Sequence, residues 1–192
     1  MPENKHADEF DNLVAGYKYI KLRMIQQAAG IALAFFKASF TNQGFTDSAL
    51  KLWDHRVPGT PNDKGRAIEV NRGILKRSLR IKKASMDGAV VGPDDAIPYA
   101  EIQNFGGQIP ITVKMRRFFW AMYYNAGGGK AKGKGQRAVT QNATAQFYFN
   151  LAITKEAFIT IPARQFIGDS ATLEREIIEY ITNELNRFFH IE

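Results

Sequence analysis

The sequence predicts an α+β fold: a long N-terminal helix, an antiparallel β-sheet with a short internal helix, and a C-terminal amphipathic helix. Three observations predict it. Apolar residues step by three or four between residues 11 and 36, branched and aromatic residues cluster in short runs through the middle, and a second stripe at helical spacing lies near the end. With 192 residues, 45% of them apolar and 23% charged, the chain can bury a sizeable core and has the composition of an ordinary globular protein. One domain over 1–192 is the expectation.

The first helix rests on Leu13, Tyr17, Ile20, Met24, Ala28, Ile31 and Phe35, which fall on one stripe. Asp8 or Asp11 is the expected cap, and the polar run TNQG ending at Gly44 is the expected stop. At about 1.5 Å per residue such a helix approaches roughly 40 Å, enough to reach a neighbouring subunit. Residues 54–73, with two prolines and three glycines, read as a surface loop. ILKRSLRIKK and GAVVG, separated by a turn near Asp87 and Gly88, read as a β-hairpin carried by Leu75, Leu79, Ile81, Val90 and Val91.

After Pro98, YAEIQNF reads as a short helix closed by Gly106 and Gly107, where the backbone can turn through left-handed geometry. An aromatic run from Phe118 to Tyr124 gives way to AGGGKAKGKGQR at 126–137, expected as a flexible basic loop. Residues 146–161, QFYFNLAITKEAFITI, read as β-rich. The last helix is expected from Ala171 to Phe189, with Leu173, Ile177, Ile181, Leu185 and Phe188 on one face. Asp169 or Ser170 caps it, and Glu174 and Glu176 suit its positive end.

The absence of cysteine excludes disulfides, thiolate catalysis and thiolate metal sites. Mixed charges at the N-terminus do not fit a secretory signal. The longest apolar run, Ala28 to Phe36, has nine residues, short of the roughly 20 that a membrane-spanning helix requires. A cytoplasmic chain with no membrane contact is expected. The net charge of +7 is unevenly spread: residues 51–83 hold ten Lys or Arg against Asp54, Asp63 and Glu69, and 111–137 hold seven basic residues and no acid. From Asp169 to Glu192 there are six acids against Arg175 and Arg187. Such asymmetry suits docking between copies or to a polyanion, or else describes solvated faces.

Two segments, YAEIQNFGG at 99–107 and IPARQFIG at 161–168, stand in an order that resembles the phage virion morphogenesis family, which includes the tail-completion proteins of Mu-like and P2-like phages. The residues concerned are Tyr99, Ala100, Ile102, Phe105, Gly106 and Gly107, then Pro162, Ala163, Arg164, Phe166 and Gly168. Upstream, Gly73, Leu75, Ser78 and Leu79 resemble a further stretch of the family, preceded by Trp53. The resemblance spans about Trp53 to Phe189. Gln165 replaces the usual proline, and the insert from Ala126 to Arg137 has no counterpart. The resemblance implies a structural subunit for tail completion or head-tail joining, present in the virion and assembled in the bacterial host's cytoplasm. It implies a homo-oligomeric ring meeting other neck or tail proteins, with no cofactor and no enzymatic turnover.

Read physically, Tyr99, Ile102 and Phe105 present one apolar packing face, with Glu101 too isolated for acid-base work. Phe166 and Ile167 can anchor in a core, and Arg164 is left to pair with a carboxylate or a neighbouring subunit. The spacing from Gly128 to Lys134 imitates a phosphate-binding loop, but Gly135 stands where Ser or Thr would hold magnesium. His6, His55 and His190 form no ligand pair. The alternative function is a nucleic-acid-binding module using 51–83 and 114–137, with Arg116, Arg117, Lys130, Lys132, Lys134 and Arg137 as contacts to DNA or a protein partner.

Overall fold

The computed structural model describes residues 5–55, 73–129 and 143–190. Most of the loop expected at 54–73, and residues 130–137 of the basic loop with Lys130, Lys132, Lys134 and Arg137, lie outside the described residues. The α+β class stands: a long first helix, small antiparallel sheets and a C-terminal helix.

Helix α1 (Lys5–Asn42) begins before both expected caps, with Asp8 inside its first turn, where a carboxylate complements the positive helix end. It stops inside the TNQG run; Gln43 takes a positive φ of 54° and Gly44 opens strand β1 (Gly44–Thr46), paired antiparallel with β2 (Leu50–Leu52). Residues 74–78 correct the hairpin reading. Ile74–Ser78 is helix α2: Leu75 and Leu79, four apart, both reach the core, at 2% and 1% exposure, while Arg77 between them stays exposed, and a strand would put all three on one face. The hairpin proper is β3 (Arg80–Ser85) with β4 (Gly88–Gly92), turning at Met86 and Asp87, with a register shift between Ile81 and Lys83.

Helix α3 (Ala100–Phe105) ends at Gly106, as expected. Then β5 (Gly107–Pro110) leads into α4 (Val113–Asn125), whose Thr112 hydroxyl accepts the Met115 N–H at 3.2 Å. The β-rich reading of 146–161 is wrong for its first half. Helix α5 (Ala143–Ile153) occupies it, and only β6 (Phe158–Ile161) is strand. The Phe, Tyr and Ile content favours strands in isolation, but the buried residues are Ala145, Tyr148 and Ala152, at helical steps of three and four, packed on α4.

The strands form three two-stranded ribbons, with no larger sheet among the described residues. Two hydrophobic clusters replace the single expected core. One joins Phe36, Phe40, Phe45, Trp53, Leu75, Leu79, Ala100, Phe166 and Leu173; α1 supplies its floor and packs against β1, the β3–β4 hairpin and α6 (Ala171–Phe189). The other lies within the α4–α5 hairpin, around Phe119, Tyr123, Ala145, Tyr148 and Ala152. The β5–β6 ribbon leads into and out of that hairpin.

Of the two candidate caps for α6, Ser170 is the one used: its hydroxyl accepts the Leu173 N–H at 3.1 Å. Asp47, in the β1–β2 turn, accepts the Ala171 N–H at 2.9 Å and so ties that turn to the helix start. Ser170→Ala leaves the Leu173 amide without its partner in a buried position, and a thermal melt should show about 1 kcal/mol lost.

Candidate functional site

The residues that carry the family resemblance converge on one joint, built mostly by backbone. Strands β5 and β6 pair from Gly107 with Ile161 to Pro110 with Phe158, which brings the two motif segments side by side. Past Ile161 the chain runs back along α3. The Arg164 N–H donates to the Gln103 carbonyl at 2.8 Å. Asn104 then holds the next two residues: its Oδ1 accepts the N–H groups of Phe166 at 2.8 Å and Ile167 at 3.0 Å, and its Nδ2 donates to the Ile167 carbonyl at 3.0 Å. One amide side chain thus satisfies three backbone groups of a segment that has no strand partner there.

From the other side, the Trp53 indole N–H donates to the Gln165 carbonyl at 2.8 Å. Phe40 sits between Trp53 and the second motif's Phe166, with ring centroids 5.6 Å and 5.3 Å away respectively. Gln165, which stands where the family has proline, folds its amide against Gly168, so that a β-carbon there would meet Nε2 at 2.3 Å. Gly73 starts α2 with φ 63°, and Ser78 closes it by donating its hydroxyl to the Leu75 carbonyl at 2.7 Å. In Trp53→Phe the indole donor is lost and a smaller ring fills the site. We expect a loss of about 2 kcal/mol by chemical denaturation, with the α4–α5 far-ultraviolet signal retained.

The packing face expected on α3 is the wrong face. Tyr99 is 39% and Phe105 71% exposed, while Ala100 and Asn104, four apart, point inward. Because the segment after β6 returns along that side, a small residue and an amide meet backbone there, where large rings would not fit. Asn104 was missed for the same reason: in the string YAEIQNFGG it looks like a polar spacer. The available signal was its i, i+4 relation to Ala100.

Beside the joint lies a cleft of about 410 Å³ whose lining includes Lys82, Asp94, Asp95, Glu101, Phe105 and Phe166. Its charges are paired across the rim: Lys82 with Asp95 at 2.5 Å, and Arg80 with Asp94 at 3.1 Å. The Lys82 ammonium holds the Asp95 carboxyl below its ordinary value. On the second cluster, burial pushes the Tyr148 phenol up.

Of the expected outward contacts, Arg117 is exposed on α4 but Arg116 is committed inside the chain. Its guanidinium donates to the carbonyls of Thr154 at 2.6 Å and of Ala152 and Glu156, each at 3.3 Å. These are orphan acceptors at the end of α5, where a cation complements the helix dipole. Among the described residues no group of three or more His, Asp or Glu side chains could share a metal ion, and no helix is long and apolar enough to cross a membrane. No protein-family model matches the chain, and neither a curated protein nor a solved structure does.

Proposed function

We propose that the chain is a structural subunit of a phage virion, completing the tail or joining it to the head through protein–protein contacts. The observation that carries this reading is the joint itself. Apart from Tyr99 and Phe105, which are exposed, the segments behind the resemblance close backbone against backbone or fill the core around Phe40, Trp53 and Phe166, as a fold-defining motif in an assembly protein would. Large apolar side chains remain outside on α1, α4 and β6, among them Phe10, Val113, Phe118 and Phe158. These side chains are available for contact with other subunits. The subunit belongs in the virion after assembly in the host cytoplasm, as an oligomer beside other neck or tail proteins.

Deleting the gene in its phage or prophage background and viewing induced particles by negative-stain electron microscopy tests this. Heads and tails that accumulate unjoined, or tails of aberrant length, are expected, and restoration by the gene in trans should rescue them. Normal infectious particles from the deletion strain would refute the reading.

A second reading has one observation in its favour. Between Ile102 and Lys155 the sequence carries no acid, and within that stretch α4 exposes Lys114 and Arg117 beside Phe118. A nucleic-acid module built there should bind DNA with affinity falling steeply as salt rises, by roughly 10-fold or more from 50 to 200 mM if two or more phosphates are neutralised. Fluorescence anisotropy with a labelled duplex and a labelled single strand measures it. Absence of binding at low salt removes this reading.

A further inference from the structure

We propose that the N-terminal half of α1 pairs antiparallel with the same segment of a second copy, about a two-fold axis passing between Val14 and Ala15. Helix α1 has 38 residues, about 57 Å at 1.5 Å per residue, but Met24 is its first buried side chain among those described. Ahead of it, Phe10, Leu13 and Tyr17 are 64%, 51% and 41% exposed. With Val14 they occupy positions i, i+3, i+4 and i+7, one continuous stripe of the kind that packs against another helix. The stripe borders a groove of about 510 Å³ whose walls include Leu13, Val14, Tyr17, Met86 and Phe189, so the end of α6 and the β3–β4 turn deepen the seat without covering it.

The charges along the stripe select the occupant. On one flank of it, Asp11 lies towards the N-terminal end and Lys18 towards the C-terminal end. Asp11 and Lys18 are seven residues apart, hence on the same flank, and both are equidistant from the midpoint between Val14 and Ala15. A second copy laid antiparallel across that midpoint therefore sets Asp11 of each chain opposite Lys18 of the other. The pairing occurs twice. This is the self-complementarity that an isologous contact requires. A parallel copy would oppose like charges at every level. A membrane surface would favour a uniformly basic flank, which Asp8, Glu9 and Asp11 deny.

The apolar stripe supplies most of the affinity, and the exposed charges set orientation. Two helices touching over about four turns bury on the order of 1,000 Å², the low end of specific interfaces, so exchange with monomer is expected in the micromolar range. The pairing provides one subunit contact that an assembly protein could use, but does not depend on the virion reading. It is measured on purified protein, whereas that reading is measured in particles.

Sedimentation equilibrium of the full chain should find a species of twice 21.6 kDa that dissociates on dilution. Two reversed proteins, one carrying Asp11→Lys and the other Lys18→Glu, should each dimerise about 10-fold more weakly. Mixed one to one, they should regain dimer, because each now offers the charge the other lacks. Circular dichroism and melting temperature establish that both remain folded. Should either not fold, Val14→Cys in a chain that has no other cysteine places one thiol at the axis and should oxidise to a covalent dimer, while Thr182→Cys on α6 should not. A wild-type chain monomeric at about 100 µM overturns the proposal, as do reversed proteins that stay apart when mixed. A closed species larger than two copies points to a head-to-tail contact and also overturns it.

Discussion

Asn104→Ala is expected to lower stability by about 3–4 kcal/mol, well beyond what one polar side chain on a short helix usually contributes. The side chain is 6% exposed and serves three backbone groups at once, the N–H groups of Phe166 and Ile167 and the carbonyl of Ile167. Leaving a buried donor or acceptor unmet costs about 1–3 kcal/mol, and partial access of water to Ile167 reduces the sum. For a chain of this size the melting temperature should fall by about 10 °C. Phe166 is held by that same backbone, so its ring should loosen from Phe40, visible as lost near-ultraviolet dichroism. The contrast is Phe105→Ala, which removes a ring that is 71% exposed and should cost less than about 0.5 kcal/mol. If Phe105 proves the costlier of the two, α3 is turned the other way and the joint as described does not exist.

That contrast marks the boundary between what could and could not be read from the sequence. Helices α1 and α6, the turn at Asp87 and the helix ending at Gly106 were legible because periodicity, caps and glycines act locally. Helix α5 was not legible, since Phe147, Tyr148 and Phe149 carry strand preference and only the presence of α4 makes a helix the better way to bury Ala145 and Ala152. Leu75 and Leu79, read as hairpin residues, share a face in a strand and in a helix alike, and only the exposed Arg77 between them separates the two. For the candidate site, the two motif strings were visible, and so was Trp53. Their junction was not, because it is made by backbone carbonyls and amides, which every residue possesses. Nothing in the letters says that Trp53 donates to a carbonyl 112 positions away. The exposure of Leu13 and Tyr17 was hidden for a related reason: an apolar stripe shows which face a helix wants covered, and the chain covers only the part of it from Met24 onward.

Gly106→Ala should cost about 4 kcal/mol or more and is expected to reduce soluble yield. Two costs combine. Gly106 has φ 71° and ψ 179°, a region essentially reserved for glycine, where any side chain adds about 1–3 kcal/mol of strain. Its β-carbon would also stand 2.8 Å from the Ala163 nitrogen and 3.0 Å from the Ile161 carbonyl oxygen. Both are backbone atoms fixed by the β5–β6 register, so relief requires the IPARQFIG segment to move away from α3, pulling on the bonds that Asn104 and Gln103 make to it. Strain and lost hydrogen bonding are therefore one event. Hydrogen exchange should show it as faster exchange of the Phe166 and Ile167 amides, with those of α6 little changed. Gly30→Ala provides the opposite sign: it lies inside α1, a β-carbon there meets nothing within 4 Å, and about 0.5–1 kcal/mol of stabilisation is expected from helix propensity alone. Urea unfolding of the two variants against the wild type decides the matter. A Gly106→Ala protein as stable as the parent would mean that the two motif segments do not lie in contact, and the structural basis for reading them as one unit would be gone.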